Sequence, residues 1–385
     1  MDSRHSPYAV TVRQLVALDL ASGEQVAAEV RRQWDLGHAV LILDQRLPQH
    51  SRMALADSLG AHVVVDEHGR STRNIDAEPM RDGDALVIAT SGTSGEPKGV
   101  VHTHDAIRAA SLATAAALGC GAEAHWLACL PLAHIGGFGV LTRAWHTGAA
   151  LTVFDGFDVE RVSSTGATHV SLVATALQRI DANVFRRILL GGSRPPSEVP
   201  ANATVTYGLT ESCGGVVYDR RPVPGVSVRI ADDGEVLLRG PMVMSRYRGS
   251  DAPTPVDDAG WLHTNDIGRI VEDHLEVDGR RGDMIVTGAE KVWPDAVERC
   301  VLTHPAVREC AVAGVDDPEW GQRVVCWVVV DASANISLDE LRDHVSEHLP
   351  RYCAPKQLVV VDSLPRTALG KVLRRSLVEQ LASDR

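Results

Sequence analysis

The sequence predicts an α/β protein with a large N-terminal domain of layered sheets and helices and a small C-terminal domain of α+β character. At 385 residues and 44% hydrophobic, the chain is long enough for two cores. In the first half, short apolar runs alternate with alanine-rich stretches, which favours crossover units around buried strands. After Gly225, hairpin-like patterns replace this alternation.

Local periodicity predicts the individual elements of the first domain. Apolar runs bounded by turn residues predict strands at HAVLIL, AHVVV, DALVIAT, THVSLVA and RRILLGG. Residues 105–118 have the composition and periodicity of a helix. The stretch VSVRIADDGEVLLRG predicts two strands joined by an Asp-Gly turn, and a further strand–turn pattern continues to residue 275.

A second, smaller domain is predicted to begin near Gly282. Its pattern indicates helices at 294–303 and 337–348 and strands at ECAVAGV and RVVCWVVV. The predicted domains are therefore residues 1–281 and 282–385.

Composition and charge argue against several functional classes. A formal net charge of -12 leaves little basic surface for nucleic acid or anionic membranes. No apolar run reaches the ~20 residues of a membrane span, and the N-terminus lacks the apolar core of a signal peptide. Seven cysteines without CxxC spacing indicate neither a zinc site nor a disulfide framework. We expect a cytoplasmic protein with no nucleic-acid or membrane partner.

The most informative stretch is TSGTSGEPKG, residues 90–99, which follows an apolar strand. Its three glycines let backbone N–H groups approach a phosphate, its four hydroxyls donate further hydrogen bonds, and Lys98 supplies a point charge. A P-loop would place Ser or Thr after the lysine to hold Mg²⁺, whereas Gly99 stands here. The stretch predicts a phosphate loop of another kind, with an ordinary surface loop as the alternative.

Six further segments follow in a fixed order: LPLAHIGGFG (130–139), LLGGS (189–193), TYGLTES (206–212), WLHTND (261–266), VDGRRGDMIVTGAEKVWP (277–294) and PRTALGK (365–371). Together with residues 90–99 they resemble the signatures of the adenylate-forming enzymes, which include acyl-CoA synthetases, luciferases and peptide-synthetase adenylation domains. The resemblance runs over residues 40–375. It implies an AMP-forming acid–thiol ligase that uses ATP, Mg²⁺ and coenzyme A.

The resemblance implies a role for each residue that matches a signature. The implied catalytic residues are Lys371, Thr210 and Glu211, and Glu211 is also the implied Mg²⁺ ligand. The implied ATP-binding residues are Thr90, Ser91, Gly92, Thr93, Ser94, Gly95 and Lys98 at the phosphates, Gly191, Gly192, Ser193, Tyr207 and Gly208 at adenine, and Asp266 with Arg280 at ribose.

The acyl pocket, the hinge and the CoA tunnel are implied in the same way. The expected pocket residues are His134, Gly136, Gly137, Ser111 and Thr175, with Arg143 and Arg194 as further polar candidates. The small domain is expected to be mobile about a hinge at Gly282, and Gly288 and Ala289 are expected beside the CoA tunnel. Two residues keep a simpler alternative, because His134 also fits a core histidine and Cys213 fits a small packed side chain.

Four departures from the family pattern concern the ribose motif, the hinge, the CoA tunnel and the chain length. Asn265 replaces the glycine of the ribose motif, Gly282 replaces the Asp or Lys that is usual at the hinge, and Ala289 stands where glycine is frequent. Only 89 residues precede Thr90, which implies an abbreviated N-terminal region. These departures leave open an enzyme that performs only one half-reaction.

The substrate is indicated by VSLVATALQRI and TYGLTESCGGVVYDRRPVPGV, which resemble segments of the compact 2-succinylbenzoate–CoA ligases of menaquinone biosynthesis. Ala174 and Ala176 stand where that group usually has Pro and Gln. The alternatives are a ligase of secondary metabolism for another bulky acid, an enzyme that loads a carrier protein, and, from a different class, a catalytically silent nucleotide-binding regulator. A homodimer is also left open.

Overall fold

The computed structural model describes residues 13–91, 97–192, 195–196, 198–249, 251, 253–330, 335–366 and 372–383. Its strands are β1 (Leu15–Asp19), β2 (Ala39–Ile42), β3 (Val63–Asp66), β4 (Gly69–Thr72), β5 (Asp84–Ser91), β6 (Pro97–Thr103), β7 (His125–Ala128), β8 (Ala150–Val153), β9 (His169–Leu172), β10 (Arg187–Leu190), β11 (Ala203–Leu209), β12 (Gly214–Tyr218), β13 (Arg221–Pro222), β14 (Ser227–Ile230), β15 (Glu235–Arg239), β16 (Arg246–Arg248), β17 (Leu262–Val271), β18 (His274–Arg280), β19 (Ile285–Thr287), β20 (Glu290–Val292), β21 (Val307–Asp317), β22 (Gly321–Val330) and β23 (Gln357–Val360). Its helices are α1 (Gly23–Asp35), α2 (Gln49–Ser58), α3 (His104–Leu118), α4 (Ile135–Thr147), α5 (Val159–Ser164), α6 (Ala174–Leu177), α7 (Pro294–Val301), α8 (Leu338–His348) and α9 (Arg374–Ser383).

These elements form two compact units. The first holds the described residues up to Ser227 together with Leu238–Leu262, and the second holds Val228–Leu237 and the described residues from His263 onward. The predicted functional division between residues 281 and 282 concerns rotation during catalysis and stays a prediction. Among the described residues, no helix combines the length and apolar character that crossing a bilayer requires.

The first unit contains two seven-stranded sheets. One has the order β16-β6-β5-β2-β1-β3-β4, in which β1, β2, β3 and β5 are parallel and β4, β6 and β16 are antiparallel to their neighbours. The other has the order β13-β12-β11-β10-β9-β7-β8 and is parallel from β8 to β11. Helices α3 and α4 pack against each other and against β12. Several polar residues of the candidate site follow the carboxyl ends of the parallel strands, which is where α/β sheets bind ligands.

The second unit contains a four-stranded sheet, β14-β15-β17-β18, and a five-stranded sheet in which β22 pairs with β21, β19 and β23. In the five-stranded sheet, alternate residues of β21 and β22 belong to two different cores. Val312, Val324 and Val328 pack with α7 and α8, whereas Val325 and Trp327 pack with the region of α9. Since both faces of β22 are buried, its sequence is an almost unbroken apolar run instead of an alternating one.

The predicted elements are confirmed, and the predicted α/β class with an α+β C-terminal part is the observed one. The five apolar runs form β2, β3, β5, β9 and β10, and the Asp-Gly hairpin forms β14 and β15. Helix α4 was not predicted, because Gly136, Gly137 and Gly139 give its first turns a low helix propensity. Burial of Phe138 and Leu141 on its inner face stabilises the helix in spite of these glycines.

Candidate active site

The stretch predicted to bind phosphate connects two antiparallel strands. Strand β5 continues to Ser91 and β6 begins at Pro97, so that Thr90 pairs with Lys98 and Ser91 with Pro97. A P-loop leads from a strand into a helix, whereas this loop leads back into the same sheet. The predicted phosphate ligands Gly92, Thr93, Ser94 and Gly95 and the side chain of Ser91 lie outside the described residues.

Tyr247 joins two of the predicted site residues. Its hydroxyl donates a hydrogen bond of 2.8 Å to Oε1 of Glu211. The ammonium of Lys98 lies 4.4 Å from the centroid of the Tyr247 ring, within the range of a cation–π contact. The predicted Mg²⁺ ligand and the predicted phosphate ligand therefore belong to one cluster. Sequence reasoning missed Tyr247, which lies 36 residues from Glu211.

Two buried arginines hold Tyr247 in place. Arg246 forms an ion pair with Asp84, with 2.7 Å between Nη2 and Oδ2. Arg248 donates to backbone carbonyls, including that of Leu59 at 2.8 Å. The sequence does contain one signal for this arrangement, the pattern Arg-Tyr-Arg in a strand. Residues two positions apart in a strand point to the same face, so the two arginines share a face where they can find partners.

The segment around Thr210 and Glu211 is held by its backbone. These residues lie in a short 3₁₀ helix, residues Thr210–Ser212, where β11 ends. Nε2 of His102 donates to the carbonyl oxygen of Thr210 at 2.8 Å, and the N–H of Met244 donates to that of Glu211 at 2.8 Å. The side chains of both predicted catalytic residues thus project from a fixed turn.

His102 makes the stability of this turn dependent on pH. Burial lowers the pKa of His102 from 6.5 to about 4, with a smaller opposing effect of the bond to Thr210. The unfolded chain therefore binds a proton as the pH falls below 6.5, while the folded chain does so only near pH 4, so stability is lost as the pH falls through this window. Between pH 7 and pH 5 we expect about 2 kcal/mol of unfolding free energy to be lost through this group.

Urea unfolding of the wild type and His102→Gln at pH 7 and pH 5 tests this expectation. Glutamine keeps a donor for the Thr210 carbonyl but does not titrate, so the variant should show a smaller pH dependence. The other histidines are common to both proteins and cancel in the comparison. An equal loss of stability in the two proteins would contradict the assignment.

Close packing, against backbone in one case and against a side chain in the other, explains two of the glycines predicted at adenine. A Cβ on Gly208 would lie 2.0 Å from the carbonyl oxygen of Gly214, and one on Gly191 would lie 2.5 Å from Oγ1 of Thr206. Gly208 lies where the register of β11 and β12 shifts, directly after Tyr207. The sheet itself therefore requires Gly208 whether or not a nucleotide is bound, and the Thr206 side chain favours glycine at Gly191. Ser193 lies outside the described residues.

The predicted ribose residues lie opposite each other in the second unit. Asp266 on β17 is in register with Arg280 on β18, and Nε of Arg280 lies 3.7 Å from Oδ1 of Asp266. Asn265 has φ of 59°, in the left-handed region that the sequence predicts asparagine to tolerate. Its N–H donates to Glu235 at 2.8 Å. The replacement of the usual glycine therefore leaves Asp266 paired with Arg280 in the strand ladder.

His134, the residue expected in the acyl pocket, is half-buried and lies in a charged cluster. Its Nε2 lies 3.2 Å from Oδ2 of Asp44 and 2.9 Å from Nη2 of Arg46. Burial raises the pKa of Asp44, but hydrogen bonds from Arg46 and His134 outweigh this effect and hold the pKa well below its usual range. Sequence reasoning did not connect Asp44 and Arg46 with His134, about ninety positions away.

The other expected pocket residues occupy different environments. Ser111 is buried between α3 and α4, where its hydroxyl donates to the Ile107 carbonyl at 2.8 Å. Thr175 is exposed on α6, and Gly136 is exposed at the start of α4. A Cβ on Gly137 would lie 2.4 Å from the carbonyl oxygen of Pro131, so this glycine is needed for packing. The assignment of these residues to the acyl pocket stays a prediction.

Arg143, named from the sequence as a polar pocket candidate, is a buried cation. Its Nη2 donates to Ser171 at 2.9 Å and its guanidinium lies 4.5 Å from the ring centroid of Trp126. In the described part of the chain, its Nε has no hydrogen-bond partner. Burial lowers the pKa of Arg143, while nearby groups, Tyr218 first, oppose this effect. A guanidinium that is desolvated without a carboxylate partner is costly for a protein to retain.

The predicted hinge and tunnel residues lie in one short region. Gly282 is exposed in a 3₁₀ turn, with open space where a Cβ would stand. Gly288 and Ala289 have φ of 58° and 69°. The alanine thus adopts the left-handed conformation that explains why glycine is frequent at this position. The hinge and tunnel roles stay predictions, and Lys371 and Arg194 lie outside the described residues.

Cys213 fits the packed side chain that the sequence favours over a nucleophile. It has φ of 56° and follows the Thr210–Ser212 turn. Burial raises the pKa of Cys213 to about 12, with a smaller opposing effect of Arg143. The group is therefore a neutral thiol at pH 7, and only a thiolate is a strong nucleophile.

Comparison with known proteins identifies the family. Residues 9–248 match the family model described as AMP-binding enzyme, and residues 296–371 match the model of the AMP-binding enzyme C-terminal domain. The chain belongs to the AMP-binding enzymes. One relative, a probable 2-succinylbenzoate–CoA ligase of Mycobacterium tuberculosis, is 38% identical over 340 residues, which cover 80% of this chain and 87% of the relative.

Solved structures of this family share the fold. The o-succinylbenzoate CoA synthetase of Bacillus subtilis in complex with its acyl-adenylate intermediate has a TM-score of 0.82 and 29% identity, covering 95% of this chain and 88% of that chain. The same enzyme in complex with ATP and a magnesium ion has a TM-score of 0.81 and 27% identity, covering 95% and 90%. The similarity extends over both the large N-terminal and the small C-terminal part of the fold.

Proposed function

We propose that this protein is an ATP-dependent carboxylic acid–CoA ligase whose acid is 2-succinylbenzoate. The observation that carries the proposal is the 38% identity, over 87% of its length, to a relative named as a probable ligase of this acid. The chain also has the charged residues that the resemblance assigns to the nucleotide. These are Lys98 and Lys371 for the phosphates, Glu211 for Mg²⁺ and Asp266 for the ribose. The two half-reactions are adenylation of the acid and transfer of the acyl group to a thiol.

In the first half-reaction, a carboxylate oxygen of the acid attacks the α-phosphorus of ATP and pyrophosphate leaves. Because both reactants are anions, the residues must position them and offset negative charge. Lys98 is proposed to bind the departing phosphates, with Tyr247 fixing the direction of its side chain. Thr210 and Lys371 are proposed to contact the α-phosphate. Asp266 is proposed to bind the ribose hydroxyls, with Arg280 beside it.

The residues around Glu211 fit a Mg²⁺ ion. Its carboxylate accepts one hydrogen bond from Tyr247 at Oε1, and a carboxylate has further lone pairs for a hard cation. When bound, the ion would neutralise phosphate charge and orient the leaving pyrophosphate. The contribution of the chain is to hold Glu211 still, through the backbone bonds of its turn and through Tyr247.

In the second half-reaction, the thiol of coenzyme A loses its proton, its sulfur attacks the acyl carbon, and AMP leaves. We propose that the small domain rotates about Gly282 between the two half-reactions. The rotation would move Lys371 away from the reacting groups and bring the CoA tunnel near Gly288 and Ala289 to them. An exposed glycine permits such a rotation, because it has the widest range of backbone torsions. We retain residues 1–281 and 282–385 as the proposed functional division. A carrier-protein thiol is the alternative acceptor, and a homodimer remains an open proposal.

Arg143 is proposed to bind the carboxylate of the substrate that is not activated. The acid has two carboxylates, one of which remains an anion throughout the reaction. A buried guanidinium with hydrogen-bonding capacity at Nε suits it, because the charge pair would offset the desolvation of both groups. Ala174 and the buried Ala176 are proposed as the positions at which a different acid would be selected.

ATP–pyrophosphate exchange with a panel of carboxylic acids, followed by addition of coenzyme A and mass spectrometry, tests the proposed function. Exchange with 2-succinylbenzoate and formation of its CoA thioester are the expected results. Exchange with another acid but not with 2-succinylbenzoate would show that the proposed substrate is wrong. Exchange without formation of a thioester would show that coenzyme A is not the acceptor. A lack of exchange with every acid would overturn the proposal as a whole.

A further inference from the structure

Three potential metal ligands converge where α7 and α8 pack together in the second unit. Cys300 lies in the last turn of α7, and His344 and His348 lie one turn apart on the same face of α8. Each offers one ligand atom, and the three atoms lie within 4.8 Å of one another. None of them belongs to the candidate active site. The linear spacing conceals the cluster, because Cys300 and His344 are 44 positions apart.

Backbone carbonyls orient both imidazoles. Nε2 of His344 donates to the carbonyl oxygen of Cys300 at 3.0 Å, and Nδ1 of His348 donates to the carbonyl oxygen of His344 at 2.9 Å. Each neutral ring then keeps a lone pair on its other nitrogen. Metal-binding histidines are usually held in this way, with one ring N–H donated to a carbonyl or a carboxylate.

The surroundings of the cluster suit a small cation. The thiol of Cys300 is buried, His344 is half-buried and His348 is exposed, so that an ion can reach the thiol from solvent past the imidazoles. The ring of His304 packs edge-on against His344, with 5.1 Å between centroids. Because Nδ1 of His304 accepts the N–H of Ala306, His304 supports the ring of His344 and is not counted as a ligand. One sulfur and two imidazoles are typical of zinc and related ions and not of magnesium or calcium.

We propose that Cys300, His344 and His348 form a binding site for Zn²⁺ or a similar late first-row transition metal. Three protein ligands with water in the fourth position give tetrahedral coordination. On binding, the thiol proton passes to solvent and the thiolate sulfur bonds to the metal. The ion joins the end of α7 to α8 and stabilises the folded second unit, because it binds the folded chain more tightly than the unfolded chain.

The competing explanation is a packed cluster without a metal. Cys300 also belongs to the hydrophobic core of this unit, and its Sγ lies 3.9 Å from the carbonyl oxygen of His344, in a weak hydrogen bond. Histidines at the end of a helix are favourable near its carbonyl groups. Such a cluster would bind a transition metal no better than scattered surface histidines, and no bond from metal to sulfur would form.

Spectroscopic titration with Co²⁺ separates the two explanations. The full-length protein is reduced, stripped with a chelator and titrated with Co²⁺, which absorbs strongly in tetrahedral sites and shows a charge-transfer band when bound to a thiolate. We expect one equivalent to bind with this band, and Zn²⁺ to displace it. Absence of the charge-transfer band up to millimolar Co²⁺ would overturn the proposal.

Two variants and a matched control assign the ligands. Cys300→Ser should lose the charge-transfer band, and His348→Asn, at an exposed position where folding is not at risk, should weaken Co²⁺ binding at least about tenfold. Cys310→Ala removes another buried thiol of the same core and should leave the spectrum unchanged. An unchanged Co²⁺ affinity in His348→Asn, or a spectrum lost only in Cys310→Ala, would reject the assigned ligands.

Zn²⁺ should also raise the thermal unfolding temperature of the wild type but not that of His348→Asn. This readout does not depend on the enzymatic activity. An equal rise in both proteins would indicate metal binding elsewhere and would contradict the site.

Discussion

Glu211→Gln is expected to lower the rate of ATP–pyrophosphate exchange about 10²–10³-fold. An amide still accepts the hydrogen bond of Tyr247, so the turn and its contacts stay in place. What is lost is the negative charge that attracts Mg²⁺, and a neutral oxygen is a much weaker ligand for this hard cation. The exchange rate measured over a range of Mg²⁺ concentrations, with saturating ATP and acid, should show a weaker apparent affinity for the ion as well as a lower plateau.

Tyr247→Phe is the matched control for this prediction. It removes the hydroxyl that donates to Oε1 of Glu211 but keeps the aromatic ring beneath Lys98. If the carboxylate of Glu211 acts through its charge, the exchange rate of Tyr247→Phe should fall by about tenfold or less. This is the contribution expected of one hydrogen bond to a charged group. Full exchange activity of Glu211→Gln at every Mg²⁺ concentration would refute the metal-ligand role.

The elements that the sequence predicts are those determined by local patterns. The run DALVIAT forms β5 because its apolar side chains are buried on both faces. The predicted helix 337–348 forms α8, with Ser337 as its N-cap and Glu340 completing a capping box. Both signals lie within about a dozen residues of sequence. Helix α4 is the opposite case, because its glycines conceal a helix that only tertiary packing stabilises.

The contacts of the candidate site could not be predicted in the same way, because they connect distant segments. The motif identifies Glu211, yet its partner Tyr247 belongs to a strand that becomes the edge of a different sheet. The charged cluster around His134 likewise depends on β2, at whose end Asp44 lies. Resemblance to a family assigns roles to motif residues, and only the fold shows which other side chains hold them.

The cluster of Cys300, His344 and His348 in the second unit shows the same limit for cysteine spacing. The absence of CxxC spacing predicts that the chain has no zinc site. That reasoning considers ligands that are close in sequence, whereas α7 and α8 bring Cys300 and His344 together across two long strands. Helical spacing of i and i+4, as in His344 and His348, is the part of the signal that the sequence does contain.

Arg143→Met is expected to reduce the preference of the enzyme for a dicarboxylate substrate by about 10²-fold. The measured quantity is the ratio of kcat/KM for 2-succinylbenzoate to that for 4-oxo-4-phenylbutanoate, which lacks the second carboxylate. Loss of a buried charge partner should strongly lower kcat/KM for 2-succinylbenzoate. The value for 4-oxo-4-phenylbutanoate should change by about threefold or less. A ratio equal to that of the wild type would show that Arg143 does not select the substrate.

Stability supplies the second half of this argument, because the two roles of Arg143 predict opposite signs. If Arg143 only supports the packing of α4 against β9, replacing it should destabilise the fold and reduce activity with both acids alike. If it is retained for a carboxylate of the substrate, methionine of similar volume should leave the free energy of unfolding unchanged or raise it, since a desolvated cation is replaced by an apolar side chain. An unfolding free energy that is maintained together with a lost preference for the dicarboxylate would therefore assign Arg143 to substrate selection and not to packing.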